Sequence, residues 1–172
     1  IHILGAHKAG TTRLYEILSS HPKIIGTSPK QHLYFYNTPI GRVSSLAFRK
    51  ETNIGSGLFV DATPDHLSNE YCLKAIDKID EQRLGLISLR NPVDRSYSHW
   101  CMTQGYLNKK DFLSVRDGSI IERSKYSQQV KNAMFMNNIN LNVEIFELWK
   151  NNENDLVNQI ALKLKIDNEF SF

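Results

Sequence analysis

The residues best suited to chemistry lie near the start of the chain, in the segment ILGAHKAGTTRL. Gly5 and Gly10 allow backbone angles that a Cβ atom would forbid, and Lys8 lies between them. Apolar residues precede this turn and a helical pattern follows it, so the turn should open a helix whose first N–H groups are unpaired. Such a helix N-terminus binds phosphate or sulfate. Lys8 would add a mobile cation to this anion site, and Thr11 and Thr12 would add hydroxyl donors.

The spacing of Gly5 and Gly10 is that of a Walker A loop, but the lysine is displaced. A Walker lysine follows the second glycine and reaches the β and γ phosphates of a nucleoside triphosphate. Lys8 lies in mid-loop instead, where it could neutralise charge that develops on a leaving oxygen. A P-loop nucleoside or small-molecule kinase, with Asp61 as its magnesium-side carboxylate, is therefore an alternative that the position of the lysine disfavours.

A second group of polar residues follows an apolar run in the segment LGLISLRNPVDRSYSH. The run is typical of a buried strand that ends at Arg90, and Asn91 and Pro92 suit the N-cap and the first position of a helix. Arg95 lies three residues before Ser98, so the two side chains should share one helix face. Arg90 considered by itself would more often form a surface salt bridge than a ligand contact.

Together the two segments resemble the sulfotransferases that use 3′-phosphoadenosine 5′-phosphosulfate (PAPS), in particular the carbohydrate and heparan-sulfate type. G-x-x-K-x-G-T-T is similar to their 5′-phosphosulfate loop, and L-R-N-P-x-x-R-x-Y-S to their 3′-phosphate motif. By this resemblance Lys8 is catalytic, and Arg90 and Ser98 bind the 3′-phosphate. The residues that would bind the 5′-phosphosulfate are Ala9, Gly10, Thr11, Thr12 and Arg13.

The same resemblance implies a fold and a set of ligands. The fold would be α/β, a P-loop-like three-layer sandwich with a central parallel sheet flanked by helices. PAPS would be the donor and 3′-phosphoadenosine 5′-phosphate (PAP) the product, and no metal is expected. The acceptor would be a hydroxyl of a carbohydrate or of a small molecule, which the sequence does not identify.

The candidate base lies in the segment KQHLYF. In the polysaccharide-modifying branch of the family this place reads K-E-x-x-[FY]-F, and the glutamate is the general base. Gln31 occupies the position of that glutamate, and an amide cannot accept a proton. Lys30 and His32 are similar to the K-T-H of the cytosolic branch, so we predict that His32 is the base and that Lys30 steadies the sulfuryl oxygens. The alternatives for the base are Asp61, Asp65 and His66.

The elements that position these residues are predicted to alternate as strand and helix, which favours a parallel sheet with the ligand at the carboxyl ends of the strands. Apolar patterns predict a strand from Leu58, a helix that begins at Thr63 as its N-cap, a helix from Tyr126, a strand over 141–146 and a final helix over 156–164.

Two polar segments are interpreted as mostly irregular. Residues 36–57 are expected to form a solvated surface loop, and residues 102–125 a loop with one short helix near Phe112 and Leu113. The glycine- and lysine-containing loop that closes over the nucleotide in many carbohydrate-type members is not found. We therefore expect that the chain is trimmed or that closure over the nucleotide is incomplete.

Composition is ordinary for a globular chain of 172 residues, and residues 1–172 are expected to form a single domain. The 21 basic and 18 acidic side chains give a net charge of +3, too small to argue for nucleic acid or a membrane surface, and no apolar run approaches a membrane span. Cys72 and Cys101 lack metal-ligand spacing and are expected to be buried free thiols.

The predicted function is sulfuryl transfer from PAPS to an acceptor hydroxyl. A nucleotide-binding module that lost catalysis when the glutamate became Gln31 is a further alternative. No N-x-[ST] sequon occurs in this asparagine-rich chain, which favours a cytoplasmic, bacterial-type protein over one of the Golgi lumen. The oligomeric state does not follow from the sequence.

Overall fold

The computed structural model describes residues 1–79, 81, 83–105, 112 and 118–170. Its centre is a parallel sheet of five strands in the order β2-β3-β1-β4-β5. The strands are β1 (His2–Gly5), β2 (Ile24–Gly26), β3 (Leu58–Ala62), β4 (Arg83–Leu89) and β5 (Ile139–Ile145). The strand order reverses at β1, since the chain passes first to β2 and β3 on one side and then to β4 and β5 on the other. The carboxyl ends of β1 and β4 therefore form a switch point, the usual ligand position in such sheets.

Helices cover both faces of the sheet. They are α1 (Thr11–Ser19), α2 (Tyr34–Asn37), α3 (Ser45–Glu51), α4 (Glu70–Asp77), α5 (Pro92–Trp100), α6 (Gly118–Glu122), α7 (Tyr126–Met134), α8 (Phe146–Trp149) and α9 (Glu153–Leu164). Short 3-10 turns, Ile40–Arg42 and His66–Ser68, precede α3 and α4, and a π-helical turn, Cys101–Gly105, extends α5.

Two hydrophobic cores lie on opposite faces of the sheet. On one face Ile3 of β1 packs in a cluster with Ile17 of α1 and Ile160 of α9. On the other face Leu4 packs in a cluster with Phe48 of α3 and Ile76 of α4. Because neighbouring residues of a strand point to opposite faces, β1 supplies both cores. The layers confirm the predicted α/β fold, a central parallel sheet flanked by helices.

Residues 36–57 correct the prediction of a solvated surface loop. The segment contains α3, whose N-cap is Ser44, and the side chain of Ser44 accepts a hydrogen bond from the Ala47 amide at 3.1 Å. Phe48 is fully buried and stacks on Phe35, with ring centroids 5.1 Å apart. A few apolar residues among the polar ones of this segment therefore pack on one face of the sheet.

Two further local predictions differ from the structure. The N-cap of α4 is Asn69, whose side chain accepts from the Cys72 amide at 3.2 Å, and Thr63 instead lies in the turn that follows β3. The short helix predicted near Phe112 and Leu113 falls largely outside the described residues. The described part of 102–125 contains α6.

The free cysteines also differ in burial. Cys72 is buried, as predicted, whereas Cys101 is only partly buried. Among the described helices, none combines the length and the apolar character needed to cross a bilayer.

Candidate active site

The candidate site begins with the loop that joins β1 to α1. Gly10 adopts the left-handed conformation, with φ 80°, and is the N-cap of α1. A Cβ atom there would lie 2.6 Å from the Phe146 ring and 2.7 Å from Trp149, so the position requires glycine for both conformation and space. Within the described residues no side chain caps α1, and its first turn holds no acidic residue. The first N–H groups of α1 therefore remain available to an anion.

Two buried side chains, Ser88 and Trp149, fix the position of this loop. Ser88 of β4 donates its hydroxyl to the Ala9 carbonyl at 2.7 Å and accepts the indole N–H of Trp149 at 2.9 Å. The Ala6 amide donates to the Ser88 carbonyl at 2.8 Å. Neither Ser88 nor Trp149 was predicted from the sequence to support the site. The available signal was a single hydroxyl residue inside an otherwise apolar strand, but its partner could not be named without the fold.

The three predicted cationic residues at the loop, Lys8, Lys30 and Arg90, make different contacts. Arg90, at the end of β4, donates to the Lys8 carbonyl at 3.3 Å, and its guanidinium lies 5.2 Å from the centre of the Phe146 ring. The Lys30 ammonium donates to the Thr12 hydroxyl at 2.7 Å, and burial lowers the pKa of Lys30. The Lys8 ammonium itself contacts Met102 Sδ, at 3.7 Å, so the structure places the Lys30 and Arg90 side chains at the start of α1 and at the loop backbone, and the Lys8 ammonium beside the residue after α5.

Two other residues predicted to bind the nucleotide, Arg13 and Ser98, lie on α1 and α5, outside the loop. Arg13 donates from Nε and Nη2 to the two carboxylate oxygens of Glu153 of α9, at 2.8 and 2.6 Å, so its side chain would have to exchange that carboxylate for a phosphate. Ser98 is partly buried on α5, downstream of Arg90. The predicted N-cap Asn91 and first-turn Pro92 are confirmed, since the Asn91 side chain accepts from the Val93 amide at 2.9 Å.

Arg95 of α5 is held by contacts with α6 and the residues after it. Its side chain is completely buried and donates to the Ser124 hydroxyl at 2.5 Å and to the Ile120 carbonyl. These contacts join α5 to α6 and the residues that follow it. Arg95 is therefore a packing residue, which the spacing to Ser98 alone could not reveal.

Asp61, near the end of β3, lies in a buried group of polar side chains next to the candidate base His32. Its Oδ2 accepts a hydrogen bond from Nδ1 of His2 at 2.6 Å, and Nε2 of His2 accepts from Arg83 at 3.2 Å. Burial alone would raise the pKa of Asp61, but the contacts with His2 and His32 hold it below its usual range. Burial lowers the pKa of His2 to about 4, so His2 is neutral at pH 7 and donates as a neutral ring.

His32 is the candidate base whose ring lies next to this carboxylate. Its Nε2 is 3.6 Å from Asp61 Oδ2, slightly beyond hydrogen-bond distance, and its ring lies 5.0 Å from Phe48. Only 8% of the side chain is exposed, and both ring nitrogens are buried. The groups that cover these nitrogens would have to move before an acceptor hydroxyl could reach His32 and transfer a proton to it.

The alternatives to His32 are differently placed. Asp61 and His66 are fully buried, and burial lowers the pKa of His66 to about 4. Asp65 forms an ion pair with Arg123 at 2.6 Å. Of the four residues, His32 and Asp65 line a cavity of about 930 Å³ beyond the carboxyl end of β3. Lys8 is not one of the described residues that line this cavity.

Comparison with known proteins gives a fold but no close relative. No protein-family model matches the chain, and no curated protein matches it. A crystal structure of a sulfotransferase from Alicyclobacillus acidocaldarius is similar, with a TM-score of 0.77 at 21% identity over 98% of this chain and 81% of that one. A sulfotransferase domain from the curacin biosynthetic pathway has a TM-score of 0.64 at 14% identity, over 96% of this chain and 73% of that one. At these identities the likeness establishes that the fold is the same.

Proposed function

We propose that this chain, which has the fold of sulfotransferase structures, transfers a sulfuryl group from PAPS to an acceptor hydroxyl. The observation that carries the proposal is the uncapped N-terminus of α1, where Lys30 contacts Thr12 and Arg90 contacts the backbone of the loop that holds Lys8. A nucleotide that carries a 5′-phosphosulfate and a 3′-phosphate has several negative charges, and it requires such a cationic site.

The residues present fit the donor. In the proposal the N–H groups of the loop and of the first turn of α1, from Ala9 to Arg13, hold the 5′-phosphosulfate together with the hydroxyls of Thr11 and Thr12. Arg90 and Ser98 hold the 3′-phosphate. Bound PAPS would supply an activated sulfuryl group and a bisphosphate leaving group.

Lys8 and Lys30 would act on charge that develops during transfer. Lys8 lies in the loop with its backbone fixed by Arg90, and in the proposal its ammonium neutralises the bridging oxygen as the bond to sulfur breaks. Lys30 lies against Thr12 and would steady the sulfuryl oxygens. The Lys8 ammonium, which contacts Met102 Sδ at 3.7 Å, would turn toward the bridging oxygen when PAPS binds.

His32 would accept the proton of the acceptor hydroxyl. Its Nε2 faces the Asp61 carboxylate, so a proton on Nε2 would leave the lone pair on Nδ1 for the acceptor. The His32 amide donates to the Thr63 hydroxyl at 3.3 Å and thus ties the segment to the turn after β3. We propose that the acceptor enters the cavity that His32 lines.

The kinase alternative loses support from the position of Asp61. Its Oδ2 accepts from His2 inside the core and faces His32, so the carboxylate proposed for the magnesium side is already engaged. The catalytically inactive module remains as an outcome of the experiment below. The cytoplasm remains the proposed compartment, on the absence of N-x-[ST] sequons.

The proposed function is tested by binding and by turnover. We expect PAP to bind and its 3′-dephospho analogue AMP to bind at least about tenfold more weakly, because Arg90 would lose its phosphate. Label from [³⁵S]PAPS should pass to hydroxyl acceptors. Equal affinity for the two nucleotides, or magnesium-dependent turnover of ATP in its place, would overturn the proposal. Binding of PAP with no transfer to any acceptor would indicate the inactive module.

A further inference from the structure

A row of buried polar side chains crosses three strands of the sheet behind the candidate base. His2 of β1 lies in register with Asp61 of β3, and Arg83 of β4 lies two residues before Gly85, the partner of His2 on that strand. Because alternate residues of a strand point to one face, the three side chains share the face of the sheet on which Leu4 packs. All three are buried. The proposed transfer gives neither His2 nor Arg83 a role.

The proton position on His2 follows from its contact with Arg83. A guanidinium can only donate, so the contact of 3.2 Å between Arg83 and Nε2 of His2 makes that nitrogen an acceptor. An imidazolium would have no lone pair for this contact, and the neutral ring therefore carries its single proton on Nδ1. That proton is donated to Oδ2 of Asp61 at 2.6 Å, and a short bond of this kind is typical of an ionised carboxylate.

The same carboxylate oxygen faces the candidate base. Oδ2 of Asp61 lies 3.6 Å from Nε2 of His32. Within the described residues, neither ring nitrogen of His32 has a hydrogen-bond partner, and Oδ1 of Asp61 has none. Buried polar groups are normally paired, so a shift of a few tenths of an ångström that turns the contact into a hydrogen bond would be favourable. Because a carboxylate only accepts, His32 would donate from Nε2.

Two phenylalanine rings hold both histidines in place. Phe35 and Phe48 lie 5.7 and 5.9 Å from the ring of His2, measured between centroids. The same two rings lie 6.1 and 5.0 Å from the ring of His32. This shared packing restricts the direction of both imidazoles around a carboxylate that is fully buried. In such surroundings the charge of Asp61 acts on His32 more strongly than it would in water.

We propose that His2 is a positioning residue for the candidate base. It fixes the Asp61 carboxylate, and the carboxylate keeps the proton of His32 on Nε2 and the lone pair on Nδ1. During transfer the acceptor oxygen bonds to sulfur and its proton passes to Nδ1, while the S–O bond of the donor breaks with its electron pair on the phosphate. His32 then holds two protons, and Asp61 balances the positive charge. The inference rests on the proposed function, since it names the residue that orients the base of that reaction.

The first test locates the ring protons without nucleotide or acceptor. Nitrogen-15 spectra of histidine side chains distinguish the Nδ1–H from the Nε2–H tautomer, and His2→Asn and His32→Ala assign the resonances. At about pH 8 we expect His2 as Nδ1–H and His32 as Nε2–H. His2 as Nε2–H, or His32 without an excess of the Nε2–H form, would overturn this inference and leave the proposed function standing.

The second test changes the donor to the carboxylate. His2→Asn keeps an N–H group close to the place of Nδ1, whereas His2→Leu removes the donor and leaves the carboxylate free to turn away from His32. With [³⁵S]PAPS and the best acceptor, kcat should fall at least about tenfold in His2→Leu and stay within about threefold in His2→Asn, with KM for PAPS unchanged in both. An unchanged kcat in His2→Leu, or equal losses in the two variants, would overturn the inference.

A third variant decides the matter if His2→Leu does not fold. Asp61→Asn keeps the shape of the side chain and removes its charge, and a neutral amide oxygen attracts an N–H group less than a carboxylate does. We expect kcat to fall at least about tenfold and the excess of the Nε2–H form of His32 to shrink. A normal kcat with an unchanged tautomer would overturn the inference.

The control is a buried histidine elsewhere in the fold. His21 donates from Nε2 to the Asp167 carbonyl at 2.8 Å, so His21→Leu also removes a buried imidazole and its hydrogen bond. This variant should lower Tm but leave kcat and the His32 tautomer unchanged. A loss of kcat in His21→Leu equal to that in His2→Leu would show a general effect of stability and overturn the inference. If PAP does not bind and no acceptor is labelled, the inference and the proposed function both fail.

Discussion

The loop proposed to bind the donor and the cavity proposed to admit the acceptor differ in whether their cationic side chains are paired with carboxylates. Lys8 lies in the loop, and Lys30 and Arg90 contact Thr12 and the loop backbone; within the described residues none of the three forms an ion pair with a carboxylate. In the cavity, Arg123 and Lys125 are each paired with a carboxylate. Unpaired cations attract a highly charged nucleotide, whereas paired charges and amides discriminate by hydrogen bonding. In the proposed function, the loop would serve affinity and charge neutralisation, and the cavity would serve selection of the acceptor.

The largest effect is expected for Lys8→Ala. Transfer should be abolished, because no other group would neutralise the leaving oxygen, while PAP affinity should stay within about tenfold, or about 1.4 kcal/mol. Single-turnover transfer and calorimetric binding measure the two quantities. Lys150→Ala, which removes an ammonium 5.4 Å from the Phe146 ring, is the control and should leave transfer near normal. Near-normal turnover of Lys8→Ala would remove Lys8 from the chemistry and weaken the contrast between the two ends.

The second effect concerns the base at the cavity end. His32→Ala should lower the transfer rate by about 10² to 10⁴, whereas Gln31→Ala should cost much less. Single-turnover transfer measures both losses. If His32→Ala keeps its rate, the base would be Asp61, Asp65 or His66. A large gain from Gln31→Glu would then indicate that the chain lost an ancestral base.

A smaller effect is expected for Arg90→Ala at the loop end. The variant should bind PAP more weakly by about 2 to 4 kcal/mol but should bind AMP almost normally, because only the 3′-phosphate loses its guanidinium partner. Calorimetry with both nucleotides measures the difference. Equal losses for PAP and AMP would show that Arg90 stabilises the loop through the Lys8 carbonyl and does not read the 3′-phosphate.

The smallest effect is on stability and concerns the buried side chains behind the cavity. Burial lowers the pKa of His66 from 6.5 to about 4, so the unfolded chain binds a proton that the folded chain excludes between these values. The contribution of His66 to the free energy of unfolding is therefore fully present above pH 6.5. It is lost as the pH falls, by about 2 kcal/mol between pH 7 and pH 5. His66→Phe should flatten this part of the unfolding profile measured in urea. An unchanged profile would show that His66 is not the group that titrates.

The donor loop could be predicted from the sequence because its chemistry is local. Gly10, Asn91 and Pro92 specify turns and helix starts through their own backbone preferences, and the strands before them are apolar runs. The resemblance implied that Lys30 acts on the sulfuryl oxygens, and the contact of Lys30 with Thr12 places it at the start of α1.

The surroundings of the base could not be predicted in the same way. The contact between His2 and Asp61 depends on the parallel register of β1 and β3, which joins residues 59 positions apart. His2 alternates with isoleucines in a strand, so its position alone indicated only one face of the sheet. Phe48 was likewise assigned to a surface loop, because a single aromatic residue among polar neighbours gives no helical period.

The support beneath the donor loop has a consequence for the thermodynamics of nucleotide binding. Ser88 fixes the Ala9 carbonyl, and Trp149 fixes Ser88, all three being buried. The conformational entropy lost on ordering this loop is therefore lost when the chain folds, before any ligand arrives. Amide hydrogens of the loop should exchange slowly with solvent deuterium in the nucleotide-free protein, and PAP should slow that exchange little further. Ser88→Ala would return part of this ordering to the binding step, where it would appear as a less favourable binding entropy.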